Sequence, residues 1–218
     1  MVTVSHIVKK LVSEQVFVEE ALGNNIISVA NFAEQLLPKI ERELGKKVKH
    51  AAIVMALRRY SEEISKHRKR IKKFDYSGEI LMKTNVCDFA VVKSPSLLVK
   101  LKTIYNLVNF ERGDTLNVIL GNNEVNVIIN EKYSQKLTNF LSGEKILNKE
   151  YGLISLTIIF TSEDFLYTPG IMFDTVRRLA WNDINVYEIV STMTELTFIL
   201  NKKDSMKAYD VLQELVNK

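Results

Sequence analysis

Apolar residues recur at helical spacing through the first third of the chain and change to strand-like runs after it. Ile7, Val8, Leu11 and Val12 fall at i, i+1, i+4 and i+5, a single stripe on one helix. Gly23-Asn24-Asn25 is a stop signal. Ser28 then stands as N-cap to a helix carrying Phe32, Leu36, Ile40 and Leu44, closed by Gly45. Pro38 inside that run predicts a kink or a break. Ile53, Leu57, Tyr60 and Ile64 mark a third helix, which runs into Lys66-His67-Arg68-Lys69-Arg70-Ile71-Lys72-Lys73. Three helices with a sharp break between the second and third fit a helix-turn-helix or winged-helix domain over residues 1–74.

From residue 79 strands and helices alternate. A β-rich run from Ile80 to Val92 leads to Ser94-Pro95 and a helical stretch through Leu97, Leu101, Ile104 and Val108. Strands at Leu116–Leu120 and Val125–Ile129 flank the tight-turn signal Gly121-Asn122-Asn123, and a helix follows from Lys132 to Leu141. The order then repeats: a strand at Leu153–Phe160, Thr168-Pro169 before a helix with Met172, Val176, Leu179 and Trp181, strands at Ile184–Val190 and Leu196–Leu200, and a helix from Ser205 to Val216. Ser94-Pro95 and Thr168-Pro169 are both expected as N-cap and first residue of their helices.

The residues themselves repeat. EVNVIINEKYSQKLTNFL (124–141) returns 71 positions later as ELTFILNKKDSMKAYDVL (195–212), with Glu124/Glu195, Ile128/Ile199, Asn130/Asn201, Lys132/Lys203, Ser134/Ser205, Lys136/Lys207 and Leu141/Leu212 identical. A fixed period of this kind marks one structural unit used twice. Each copy reads βαββα, which places two helices on one face of an antiparallel sheet in the ferredoxin-like manner. The fold class is therefore α+β: a helical domain (1–74), module 1 (79–145) and module 2 (151–218).

Composition narrows the setting. At 46% hydrophobic and 26% charged, with 8 Gly and 3 Pro, the chain falls in the ordinary globular range. One cysteine, Cys87, allows no intrachain disulfide and fits a reducing, cytoplasmic location. The longest apolar stretch, Ala51 to Leu57, is too short to span a bilayer, so no membrane partner is expected. Residues 1–73 carry 15 Lys/Arg against 8 Asp/Glu, a net +7, while the rest carry 15 against 18, a net −3. The two parts are expected to meet different partners.

In the second copy, the run Thr168-Pro169-Gly170-Ile171-Met172-Phe173, then Leu179, Asn182-Asp183-Ile184-Asn185-Val186, Ser191-Thr192 and Glu195-Leu196-Thr197-Phe198, resembles the ACT domain of the aspartate kinase type. No kinase catalytic domain is expected beside it. Such a resemblance implies an amino acid bound between paired domains and reported to an attached module, and with it a homodimer or higher homo-oligomer. The implied ligand-binding residues are Thr168, Pro169, Gly170, Ile171, Met172, Asp174, Asn185, Val186, Ser191 and Thr192. Their chemistry is suitable: a helix start offers backbone N–H groups to a carboxylate, Gly170 lets a ligand approach the backbone, Asp174 can receive an ammonium, and Asn185 both donates and accepts. The first copy has Ser96 where glycine is expected and a hairpin segment three residues shorter (Asn117 to Asn123 against Asn185 to Thr194), which points to a degenerate, structural module. The acidic, aromatic loop Thr161–Tyr167 is either a lid over the ligand or an ordinary surface loop.

In the first third, Lys46, Lys47, Lys49 and His50 stand at the start of the third helix, where helix-turn-helix domains place base-contacting side chains, and Arg58, Arg59, Arg68 and Arg70 suit phosphate contacts. DNA through residues 1–74 is thus one expected partner; a solvated charged surface is the plainer alternative. No Gly-rich phosphate loop, HExxH, Cys/His metal spacing or Gly-x-Ser-x-Gly occurs, so no catalytic residue, metal or cofactor is expected. The expected function is an amino-acid-responsive, non-catalytic regulator acting on transcription. The alternatives are a regulatory subunit or adaptor whose helices bind a protein, and a structural dimer with a degenerate site.

Overall fold

A computed structural model describes residues 3–71 and 75–216, apart from the side chains of 67–71 and of Glu163. The chain divides into two compact units, 1–74 and 75–218.

Among its described residues the first unit contains four helices, not the three expected: α1 (Val4–Ser13), α2 (Val16–Gly23), α3 (Val29–Leu44) and α4 (His50–Ile71). The extra break has a local cause. Ser13 Oγ donates to the Lys10 carbonyl at 3.1 Å, alongside the Glu14 N–H, and Gln15 Nε2 donates to the Leu11 carbonyl at 3.0 Å, so side chains help to satisfy the last acceptors of α1. Ser28 caps α3 through its bond from Asn31 N, and Gly45 ends it in the left-handed region, while α3 runs unbroken through Pro38. Helix α4 is the hub, in contact with α1, α2 and α3. It buries Ile53, Leu57, Tyr60 and Ile64 as its spacing predicts. Ser61 and Ser65 donate to the carbonyls of Leu22 and Gly23 at 2.9 and 2.7 Å, which satisfies the end of α2. No strand occurs among the described residues of this unit, so the expected wing is not seen there.

The second unit carries the repeat as β1 (Gly78–Val92), α5 (Pro95–Leu101), β2 (Leu116–Leu120), β3 (Glu124–Asn130), α6 (Ser134–Phe140), then β4 (Ile146–Phe160), α7 (Ile171–Trp181), β5 (Val186–Ser191), β6 (Glu195–Asn201) and α8 (Ser205–Val216). All six strands form one antiparallel sheet in the order β2-β3-β1-β4-β6-β5. The two long central strands are each shared by both copies. The second half of β1 pairs with β3, and the first half of β4 lies beside it (Asp88 opposite Glu150, Val91 opposite Ile146) as a fourth strand for copy 1. The second half of β4 pairs with β6, and the first half of β1 (Gly78 to Lys83) lies beside it as a fourth strand for copy 2. Each copy thereby completes the other. Where the strands pass between copies the register shifts, and the left-handed residues Asn85 (φ 57°) and Gly152 (φ 65°) stand at those shifts.

The sheet has two apolar faces. On one, Cys87, Phe89, Val91, Val125, Val127 and Ile129 pack against Leu97, Leu101, Leu137 and Leu141 of α5 and α6. Cys87 is fully buried, which pushes its thiol up to about 12, as expected for a packing residue. On the other face Val86, Ile128, Leu153 and Ile199 are buried together, with Ile119, Tyr187 and Val190 against them. Every strand contributes to this cluster. A flat sheet would hold β3 and β5 about 19 Å apart, yet Asn126 Nδ2 on β3 donates to Glu188 Oε1 on β5. The sheet is therefore curled, with its helix-free face concave and filled.

Candidate functional site

Strand β4 ends at Phe160, whose N–H is held by the Thr194 carbonyl at 2.8 Å. This brings the β5–β6 turn beside the loop that leads to α7. Ser191 and Thr192 lie in that turn region, exposed, and Thr192 N donates to the Glu195 carbonyl at 2.9 Å. Phe165 is buried and stacks on Phe160, with ring centroids 4.5 Å apart, so the loop is pinned to the core; Tyr167 projects with 74% exposure. Thr168 N donates back to the Asp164 carbonyl at 2.9 Å. The helix begins two residues later than expected: Gly170, not Thr168, is the cap, and Ile171, not Pro169, opens α7. The reason is conformational. Gly170 has φ 94°, a value that a side chain resists, and the turn can bend into the helix only there. Ile171 is buried and so offers only its backbone, whereas Met172 is exposed. No side chain caps the first-turn N–H groups of α7.

The corresponding helix in copy 1 is closed. Ser94 caps α5 by accepting from Leu97 N at 3.0 Å, and Pro95 is its first residue, as expected. Against that start lies the chain's own carboxylate, Glu144: Ser94 Oγ donates to it at 2.7 Å, Ser96 Oγ at 3.1 Å, and Lys100 Nζ is 3.1 Å away. The Ser94 bond, with help from Ser96 and Lys100, holds this carboxyl below the usual range. At the repeat's offset of 71, Glu144 is matched in sequence by Leu215, which is buried within α8.

The other expected residues separate from the helix start. Asp174 Oδ1 accepts from Arg177 Nη2 at 2.7 Å, and Oδ2 accepts from Arg178 Nε at 3.5 Å and from Tyr76 Oη at 3.4 Å, so its charge is already met within the protein. Burial, followed by the Asp174 charge, raises the Tyr76 phenol to about 12. Asn185 and Val186 follow the other end of α7, an 11-residue helix or about 16 Å from Gly170. Within one chain, Thr168 to Met172, Ser191 and Thr192 thus share one end of the sheet, while Asn185 and Val186 lie at the other. Glu144 is a contact at the start of α5 that sequence reasoning missed; its trace in the sequence is a pair of serines flanking Pro95.

In the helical unit, Lys46, Lys47 and Lys49 are exposed in the α3–α4 turn, and Lys47 is 3.3 Å from Glu41. His50 opens α4, with Nε2 3.1 Å from the Ala30 carbonyl. Arg58 and Arg59 are exposed on the face of α4 that also carries Ala51, Ala52 and Met55, in line with the turn. The side chains of Arg68 and Arg70 lie outside the described residues. Among the described residues no group of three or more His, Cys, Asp or Glu is placed to hold a metal, and no helix is long and apolar enough to cross a membrane.

The fold has relatives among solved structures. The regulatory subunit of aspartate kinase from Thermus thermophilus matches 65% of this chain and 98% of its own at a TM-score of 0.50 and 11% identity. The aspartokinase alpha and beta subunits match 65% of this chain and 99% of theirs at 0.51 and 16% identity. Aspartate kinase from Synechocystis matches 66% of this chain at 0.53 and 14% identity, and there the likeness spans only 27% of the enzyme. At such identities the likeness is one of fold. No family model matches the sequence. No curated protein matches it either.

Proposed function

We propose that this chain is a non-catalytic regulatory protein of the ACT type that responds to a free amino acid, held by its carboxylate at the start of α7. The contrast between the two helix starts carries the proposal. Copy 1 seats a carboxylate of its own, Glu144, where copy 2 has a glycine cap and no side-chain cap, and the sequence offset of the repeat gives Leu215 for the acid. Thr168, Pro169, Gly170, Ile171 and Met172 form the carboxylate side of the site, and Ser191 and Thr192 supply hydroxyls beside it. Asn185 and Val186 join only from a second copy of the chain, which is why a dimer belongs to this proposal. Ligand taken up across such a pair shifts its geometry and so the spacing of two helical units. Thermal unfolding of the full chain against all twenty amino acids tests it. A bound acid at about 100 times its dissociation constant adds about 2.7 kcal/mol, and a flat response to every acid removes the proposal.

The output is DNA binding through the exposed basic face of Lys46, Lys47, Lys49, Arg58 and Arg59. Binding to duplex DNA is expected to fall steeply between 50 and 200 mM salt, by about a thousandfold if six phosphates are contacted. Salt-insensitive capture of a protein instead supports the adaptor reading, which the exposed Val16, Phe17 and Ile26 of the same unit favour.

A further inference from the structure

The concave face of the sheet holds a group that the amino-acid site does not use. Asp88, on β1, faces this side because its partners Ile128 and Glu150 do so across β3 and β4. It is only 9% exposed, and no donor among the described residues reaches its Oδ1. Around it stand Glu150 on β4, Glu188 reaching in from β5, and Asn126 on β3, all half-exposed. Among the described residues no lysine or arginine forms an ion pair with Asp88, Glu150 or Glu188. Lys83 shares this face of β1, but its ammonium donates to the Gly113 carbonyl at 3.0 Å. Glu124 on β3 adds a further negative charge near Glu188. Beneath these groups Val86, Ile128, Leu153 and Ile199 are packed together with no exposed surface.

The geometry points to a second small-molecule site here, for a ligand with a primary ammonium or guanidinium group, the cation seated at Asp88 on the side of Glu150 and Glu188. A buried carboxylate with an unmet oxygen, beside two others, is unfavourable until a cation or a proton arrives. Burial, with Glu188 and Glu150 nearby, accordingly pushes the Asp88 carboxyl up to about 6, and burial raises Glu188 as well. Near pH 7 Asp88 is largely ionised, so a cation is the complementary occupant. The site stands apart from the start of α7: Glu150 lies ten residues back along β4 from Phe160.

Putrescine and agmatine, which carry no carboxylate, probe this site without engaging a carboxylate-binding helix start. In thermal unfolding of the full chain at pH 7.5 and constant ionic strength, each is expected to raise Tm, with sodium chloride as the matched control. Asp88→Asn is expected to abolish that response, Glu188→Gln to weaken the apparent affinity about tenfold, and Gly170→Ala to leave it intact. Should Asp88→Asn fail to fold, Glu150→Gln takes its place and is expected to weaken the response likewise. No Tm change with either probe, an unchanged response in the carboxylate variants, or loss of the response in Gly170→Ala overturns the site. Loss of the amino-acid response in Gly170→Ala, with the putrescine response retained, leaves the two sites separate.

Discussion

Leu153→Ala is expected to lower the stability of the sheet unit by about 3–5 kcal/mol and to loosen both copies of the repeat in one step. Leu153 is fully buried at the point where β4 passes from serving copy 1 to serving copy 2. It packs against Val86 of β1, Ile128 of β3 and Ile199 of β6, with Ile119 of β2 and Tyr187 and Val190 of β5 around them. A cavity there opens in a cluster to which the five other strands also contribute, and a curled sheet has little freedom to collapse onto it. Chemical denaturation followed by circular dichroism measures the effect, with Leu22→Ala in the helical unit as the contrast. Because the two units are separately compact, Leu22→Ala is expected to shift a different transition. A cost below about 1 kcal/mol for Leu153→Ala contradicts a filled concave face.

The second large effect has the opposite sign. Asp88→Asn is expected to stabilise the sheet unit at pH 7.5, in the absence of any amine, by up to about 3 kcal/mol. The folded Asp88 carboxyl is raised to about 6 from an ordinary 3.8, so the folded state binds its proton more tightly than the unfolded state does. Its favourable contribution is therefore complete below pH 3.8 and is lost as pH rises through 6. The gap between variant and wild type should accordingly be widest above pH 7 and close as pH falls from 6 towards 4. Asp114 runs the other way. The Lys132 ammonium at 2.5 Å and the Tyr133 hydroxyl at 2.6 Å hold its carboxyl down to about 2, so its contribution persists until stronger acid is reached. Matched pH profiles of Tm for wild type and Asp88→Asn decide the matter, and a gap independent of pH contradicts the buried charge.

Local chemistry was legible where a few adjacent residues determine it. Ser28 and Gly45 bracket α3, and Ser94-Pro95 opens α5, because caps are set within a turn of chain. The Thr168-Pro169 pair misled for a local reason too: only Gly170 could adopt the left-handed turn, so the helix waits for it. Residues 146–152, ILNKEYG, carry no strand periodicity, and their place in β4 comes from pairing with β1. There Lys149 lies 5.1 Å over the Phe89 ring and Tyr151 meets that ring edge-on at 5.9 Å, so polar and aromatic residues cover the core in place of an apolar stripe. The curl was beyond reach, since Asn126 and Glu188 meet only once both copies share a sheet. The repeat announced two similar modules; their helix starts differ because Ser94 and Glu144 close the first while a left-handed Gly170 opens the second.

The most direct test of an amino-acid-responsive regulator is thermal unfolding of wild type and Gly170→Ala, side by side, against the twenty amino acids. At least one acid is expected to raise the Tm of the wild type, with the shift lost in Gly170→Ala, where an added methyl crowds a backbone at φ 94°. Twenty flat responses in the wild type, or an equal shift in both proteins, contradict a carboxylate site at the start of α7.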